Sequence, residues 1–198
     1  MLSLPRIIAV CGSKRSGKDT IAGILSHAYG YEHIKISQKL KDVCKTLFGF
    51  TDEQLETDTK EVVDARWRVS PRRVMQFLGT EVMQYALPQG LPEIKDGMLG
   101  RKFWIESTLE EIKRNPHKKY IISDLRFLHE EDVLKEHGAF IIKVQRFNTS
   151  ASTDSHKSEQ EFKFIQHHLY VDNYFTTKDE LRTMMLESTA TLFQHKDG

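Results

Sequence analysis

The sequence predicts a three-layer α/β/α protein, a parallel sheet covered by helices on both faces, and three observations carry that expectation. Short β-rich runs ("RIIAVC", "HIKIS", "YIIS", "AFIIKVQ", "HLYV") alternate with stretches of helical periodicity along the whole chain. After Arg6 the first of these runs is apolar, as a strand buried on both faces is. Residues suited to chemistry then fall at three proposed strand ends: Gly12 onward, Asp124 with Arg126, and Arg146. Ligands of parallel α/β sheets bind beyond those carboxyl ends.

The chain has 198 residues, 39% hydrophobic and 29% charged, enough for one domain spanning 1–198 with a real core. No repeat or dividing linker is visible. The net charge of +1 makes bulk attraction to a polyanion no argument, so any basic site must come from local clustering. Small-molecule ligands, without nucleic acid or membrane, are therefore the expected partners, and a homodimer is left open. Cys11 and Cys44 sit in apolar stretches without metal-ligand spacing and read as buried thiols. No apolar run is long enough to span a bilayer and the first residues lack a leader layout, so the expected location is the cytoplasm.

In chain order, "RIIAVC" is a buried strand. Ile21, Leu25 and Ala28 mark a helix closed by Gly30. "HIKIS" is a second strand, and Ser37 is placed to cap a helix whose inner face is Leu40, Val43, Cys44 and Leu47. Residues 51–68 are charged and weakly periodic, either helix or ordered loop. "SPRRVMQFLGTEVMQYAL" is the clearest helix, with Ser70 as N-cap, Pro71 at the first turn and an apolar stripe of Val74, Leu78, Val82 and Tyr85. Pro88–Gly100 reads as a loop, and a helix runs from Phe103 to near Asn115. "YIIS" is a strand with Asp124 just beyond it, and "HEEDVLKEHG" is a helix stopped by Gly138. "AFIIKVQ" is a strand with Arg146 beyond it. The polar stretch 148–158 reads as a lid-like loop, followed by a short helix, a last strand and a C-terminal helix.

Gly12-Ser13-Lys14-Arg15-Ser16-Gly17-Lys18 fits the G-x-x-x-x-G-K pattern in its required strand–helix context. Such a loop turns backbone N–H groups toward phosphate oxygens, the helix N-terminus adds positive potential, and Lys18 reaches the outer phosphates. The alternative is a glycine-rich turn with an incidental lysine. Asp19 stands where many such loops carry a hydroxyl, which here arrives at Thr20. A bare carboxylate aimed at phosphates repels them, so Asp19 is expected to act through a cation; otherwise it is a first-turn residue favoured by the helix dipole.

On the Ser70 helix, Arg72, Gln76, Gly79 and Thr80 recur as a narrow polar stripe. Arg72 suits a phosphate, Gln76 a base edge, and Gly79 the approach of a flat ring; a solvated helix face is the plain alternative. Asp124 is placed near the metal of the loop and Arg126 near a transferring phosphoryl group, against the alternative of a strand-end salt bridge. Arg146 can clamp a nucleotide or neutralise charge. Asp154 and His156 belong to the polar loop, with His156 ordering it, and Glu159 directly follows it. Trp104 can stack on a base or be a core tryptophan.

Together these stretches resemble the deoxynucleoside monophosphate kinases of phages and large DNA viruses, which have the P-loop kinase fold. "KRSGKDT" looks like that family's phosphate loop, aspartate included. "SPRRVMQFLGTE" is similar to its Pro-Arg-x-x-x-Gln-x-x-Gly-Thr helix, "ISDLRFLHEED" to its Asp-x-Arg-Phe-x-x-Glu segment and "DSHKSE" to its Asp-x-His-x-Ser-Glu loop. The resemblance implies transfer of the ATP γ-phosphoryl group to a deoxynucleotide with Mg²⁺ as cofactor. It implies that Lys14, Arg72, Gln76 and Arg126 contact the substrate, and that Gly17, Lys18, Asp19 and Thr20 hold ATP and Mg²⁺. After the second strand only Ser37 and Lys41 align, and Arg73 replaces a frequent acidic residue. Two rival readings are a phosphomevalonate kinase-like enzyme, a family with a Lys-Ser-Gly-Lys-Asp loop similar to Arg15-Ser16-Gly17-Lys18-Asp19, and an NTP-dependent switch without catalysis.

Overall fold

Strand β1 (Ile7–Gly12) runs through the middle of a five-stranded sheet, and all six of its residues are buried. The computed structural model describes residues 3–96, 100–146, 161–174 and 177–193. It pairs β1 in parallel with β3 (Tyr120–Leu125) and β4 (Phe140–Gln145), adds β2 (Glu32–Ile34) outside β3 and β5 (Leu169–Asp172) outside β4, and gives the order β2-β3-β1-β4-β5. The predicted three-layer α/β/α class is the observed one.

The chain forms two compact units, residues 1–35 with 110–198, and 36–109. In the first, helix α1 (Lys18–Tyr29) and the C-terminal helix α8 (Lys178–Phe193) cover one face of the sheet. Ile21, Leu25, Leu181, Met185 and Phe193 pack there against Ile8, Val10, Ile142 and Val144. Strand side chains alternate, so Ile7, Ala9 and Cys11 point to the opposite face, and they are buried as well. Burial of each such aliphatic side chain contributes about 1.5–3 kcal/mol. Helix α7 (Leu128–Glu136) contributes buried Val133 and Leu134.

The β1–β3 pairing is irregular at one point. Ala9 pairs with Ile122 and Cys11 with Leu125, so Val10 faces both Ser123 and Asp124. This bulge bends the strand and re-aims two side chains at its carboxyl end. Asp124 therefore lies inside β3 rather than beyond it.

The second unit is helical. Its core gathers Cys44, Phe50, Leu55 and Val74 with Leu40, Phe48, Val69, Met75 and Leu78. Helix α2 (Gln38–Phe48) turns Leu40, Cys44 and Phe48 inward; the expected Val43 and Leu47 are 41% and 61% exposed, because the i, i+4 row faces the core and the i+3 positions flank it. Ser37 occupies the N-cap position without a side-chain cap, and β2 is shorter than expected. Ala28 of α1 is exposed. Residues 51–68 hold helix α3 (Asp52–Glu56) with a capping box on Thr51, a 3-10 turn (Asp58–Glu61), and a turn closed by the Asp64–Val69 bridge. The Arg66 guanidinium, with the Gln54 amide, holds the Asp64 carboxyl well below the usual range.

The Ser70-capped helix starts as α4 (Pro71–Gln76), continues as a π-helix (Phe77–Ala86) and ends as the short α5 (Leu87–Gly90). Its i→i+5 bonds, such as Leu87 N–H to Val82 O, widen each turn, so positions extrapolated at 3.6 residues per turn drift off their face. Tyr85 is accordingly 51% exposed rather than in the apolar stripe. The segment read as a loop from Pro88 holds the end of α5 and a 3-10 turn (Pro92–Asp96). Helix α6 (Phe103–Arg114) follows. Among the described residues no helix is long and apolar enough to cross a membrane. Cys11 and Cys44 are buried free thiols. The polar loop 148–158 with Asp154 and His156, and Glu159 directly after it, lie outside the described residues.

Candidate active site

The turn after β1 is built so that backbone, not side chain, lines it. A Cβ on Gly12 would run into the carbonyl oxygen of Val144, and one on Gly17 into the amide of Asn173. Both glycines have positive φ, as does Arg15 at 64°, a conformation that L side chains rarely adopt outside functional loops. Ser16 N–H closes a turn on Ser13 O at 3.2 Å. Asn173, just past β5, donates its side-chain amide to Ser16 O at 2.8 Å in a buried bond that braces the loop. Ser16 Oγ is buried and has no hydrogen-bond partner among the described residues.

Lys18 opens α1 and is only 8% exposed; its Nζ donates to Ser13 O at 2.5 Å, which folds the ammonium over the loop. Lys14 and Arg15 are exposed on the same turn, Ser13 and Thr20 half-buried. The loop thus concentrates positive charge and backbone donors at a helix N-terminus, an arrangement suited to polyphosphate.

Asp19 is tied down on one oxygen. Its Oδ1 accepts from Ser123 Oγ at 2.8 Å and from Lys35 Nζ at 3.0 Å, with His33 Nε2 at 3.9 Å. His33 Nε2 lies 2.7 Å from Ser123 Oγ. Burial works to raise the Asp19 pKa, but the bonds from Lys35 and Ser123 and the nearby positive charge outweigh it and hold the carboxyl below its ordinary value. Burial draws the His33 imidazole below its ordinary value, against the opposing pull of Asp19. Residue types alone did not disclose His33, Lys35, Ser123 or Asn173 as neighbours of the loop.

Asp124 and Arg126 are half-buried at the end of β3. The turn that carries them is pinned by Glu130, whose buried Oε2 accepts from Arg126 N–H at 3.0 Å and Phe127 N–H at 3.1 Å. Burial pushes the Glu130 carboxyl up to about 8, against the two backbone donors. Arg146 is exposed directly past β4. Thr20 and Asp124 supply hard hydroxyl and carboxylate oxygens, which fit Mg²⁺, an ion usually held by one or two carboxylates together with substrate phosphates.

In the second unit, the two predicted cations are already paired. Arg72 Nε donates to Glu61 at 2.8 Å, and buried Lys41 to Glu56 at 2.6 Å. Gln76 is half-buried at the end of α4. Gly79 and Thr80 do not continue the stripe of Arg72 and Gln76. The π-helical winding carries Gly79 to the buried side, where a Cβ would press on Leu40, and leaves Thr80 exposed. The space over Gly79 is filled by Leu40 and not open to a ring. Trp104 donates its indole N–H to Gly79 O at 2.8 Å and packs edge-on to Phe103, a structural use that accords with the core alternative of its two readings. Ser37 lies at the start of α2.

Comparison with known proteins agrees with this chemistry. Residues 45–183 match the family described as deoxynucleotide monophosphate kinase. A protein of Acanthamoeba polyphaga mimivirus whose name assigns it to the deoxynucleotide monophosphate kinases is 34% identical over 165 residues, covering 81% of this chain and 83% of that protein. Among solved structures, dephospho-CoA kinase from Campylobacter jejuni is similar in fold, with a TM-score of 0.50 at 13% identity over 96% of this chain and 98% of that one.

Proposed function

Since the chain belongs to the deoxynucleotide monophosphate kinase family, we propose that it transfers the γ-phosphoryl group of ATP to a deoxynucleoside monophosphate, giving a deoxynucleoside diphosphate and ADP. The observation that carries this reading is the loop of Gly12–Lys18, with its positive-φ glycines, its brace from Asn173 and its lysine folded over the turn.

In this reading an oxygen of the acceptor phosphate attacks the γ-phosphorus, and the bond to the β–γ bridging oxygen breaks. Positioning and charge neutralisation supply most of the acceleration. Backbone N–H groups of 12–18 and Lys18 hold the β- and γ-phosphates. Thr20 and Asp124 would hold Mg²⁺, which when bound neutralises phosphate charge. Arg126, fixed through its own N–H by Glu130, and Arg146 meet the negative charge of the transferring group. Lys14, Lys41, Arg72 and Gln76 bind the acceptor, and both units belong to one kinase. Nucleotides are its partners, and the reaction is assigned to the cytoplasm.

A coupled assay of ADP release tests the reading. Ribose and deoxyribose monophosphates of each base are offered in turn. ADP release that depends on a deoxynucleoside monophosphate supports it; release that ignores every monophosphate contradicts it.

A further inference from the structure

Asp19 poses a problem that the loop alone does not solve. A carboxylate beside the phosphate-binding lysine repels the ligand the loop is built for, unless a positive group stands against it. Among the described residues that group is a side chain of the protein: Lys35 Nζ lies 3.0 Å from Asp19 Oδ1. Lys35 follows directly on the carboxyl end of β2, which neighbours β3, and ligands of parallel sheets bind beyond those ends.

The carboxylate is itself oriented. Ser123, set at the β3 bulge, gives its hydroxyl proton to Asp19, so the 2.7 Å contact between Ser123 Oγ and His33 Nε2 must have the imidazole as donor. The chain His33→Ser123→Asp19 fixes one face of the carboxylate, and Lys35 meets the same oxygen. A lysine ammonium on a four-carbon stem has many rotamers, and an anchored carboxylate selects among them.

We propose that Lys35 is a further phosphate-contacting residue of the nucleotide loop and that Asp19 is its positioning residue, holding the ammonium at the first turn of α1. The proposal rests on the nucleotide reading above. Asp19 then acts through Lys35 rather than through the divalent cation.

The test is calorimetric titration of ATP, with EDTA present and again with saturating Mg²⁺, into the full chain. The proteins are wild type, Lys35→Met, Lys35→Arg, Asp19→Asn and the Lys35→Met/Asp19→Asn double variant, each checked for an unchanged melting transition. In EDTA, Lys35→Met is expected to weaken ATP about 10-fold, the order of one charge-assisted hydrogen bond. Lys35→Arg is expected to restore most of that loss. Asp19→Asn is expected to weaken ATP by less than Lys35→Met, and the double variant to bind no more weakly than Lys35→Met alone, because the carboxylate left uncompensated by Lys35→Met is gone. Wild-type affinity for Lys35→Met in EDTA overturns the proposal, as do additive effects in the double variant. It also fails if Asp19→Asn leaves ATP binding in EDTA unchanged and weakens only the binding measured with Mg²⁺. A wild-type protein that binds no ATP in either condition overturns the nucleotide reading as well.

Discussion

The side-chain amide of Asn173 and the carbonyl oxygen of Ser16 form a buried hydrogen bond of 2.8 Å across 157 positions of sequence. It ties the end of β5 to the Gly12–Lys18 loop, and the same amide occupies the space in which Gly17 has no side chain. Asn173→Leu removes the donor and leaves a buried carbonyl unmatched, a cost of about 1–3 kcal/mol. The expected result is a lower midpoint of urea unfolding and an ATP KM raised about 10-fold, with the acceptor KM changed much less. Equal changes in both KM values would show that the brace does not act through the loop.

Lys18→Ala is expected to leave far-UV circular dichroism unchanged and to lower kcat by about 100-fold or more, the loss typical of one group that stabilises transition-state charge. The lysine is 8% exposed and bonded to Ser13 O, so some thermal destabilisation should accompany the catalytic loss. Steady-state kinetics on the folded variant checks this. Turnover near wild type would remove Lys18 from the mechanism.

Glu130 predicts a pH dependence. Its carboxyl is raised from an ordinary value of 4.5 to about 8, chiefly by burial. A raised pKa means that the folded state holds a proton which the unfolded state releases. The contribution is complete below the ordinary value and is lost as pH rises through about 8. In Glu130→Gln the side chain stays neutral and still accepts from Arg126 and Phe127 N–H. Urea midpoints measured between pH 5 and pH 9 should therefore fall with pH more steeply in wild type than in the variant. Parallel curves would show that Glu130 is ionised throughout.

Arg72 and Glu61 make a pair 2.8 Å apart, which the acceptor phosphate would have to open under the proposed function. Arg72→Ala is expected to raise the monophosphate KM at least about 10-fold while the ATP KM shifts little, as loss of a charge-assisted bond would do. Glu61→Gln should lower the monophosphate KM, because the guanidinium is released from its competitor. A rise in monophosphate KM in Glu61→Gln would mean that the pair itself orders the acceptor site.

What the sequence disclosed follows the range of the interactions involved. The Gly12–Lys18 loop was legible because strand, glycines and helix are consecutive, and its geometry is local. Its supports were not: Asn173 and Ser123 reach Ser16 and Asp19 through contacts 157 and 104 positions apart, and neither residue type announces such a role. The bulge that sets Ser123 and Asp124 side by side depends on pairing between β1 and β3, which a single strand does not reveal. Gly79 was misread for a different reason. The helix was rightly expected, but periodicity assumes 3.6 residues per turn, and the π-helical winding from Phe77 carries Gly79 onto Leu40. Val43 and Leu47 show the same limit, since an apolar pattern does not say which of two adjoining rows the core will take.

The most direct measurement of the central claim is the fate of the γ-phosphoryl group. ATP labelled at that phosphorus is incubated with the wild-type protein, Mg²⁺ and each deoxynucleoside monophosphate in turn, and the products are separated by chromatography. The account predicts label in the deoxynucleoside diphosphate of at least one base, in amounts equal to the ADP formed, and its loss in Lys18→Ala. Label that stays in ATP or appears only as inorganic phosphate, for every monophosphate and with a folded protein, would contradict it.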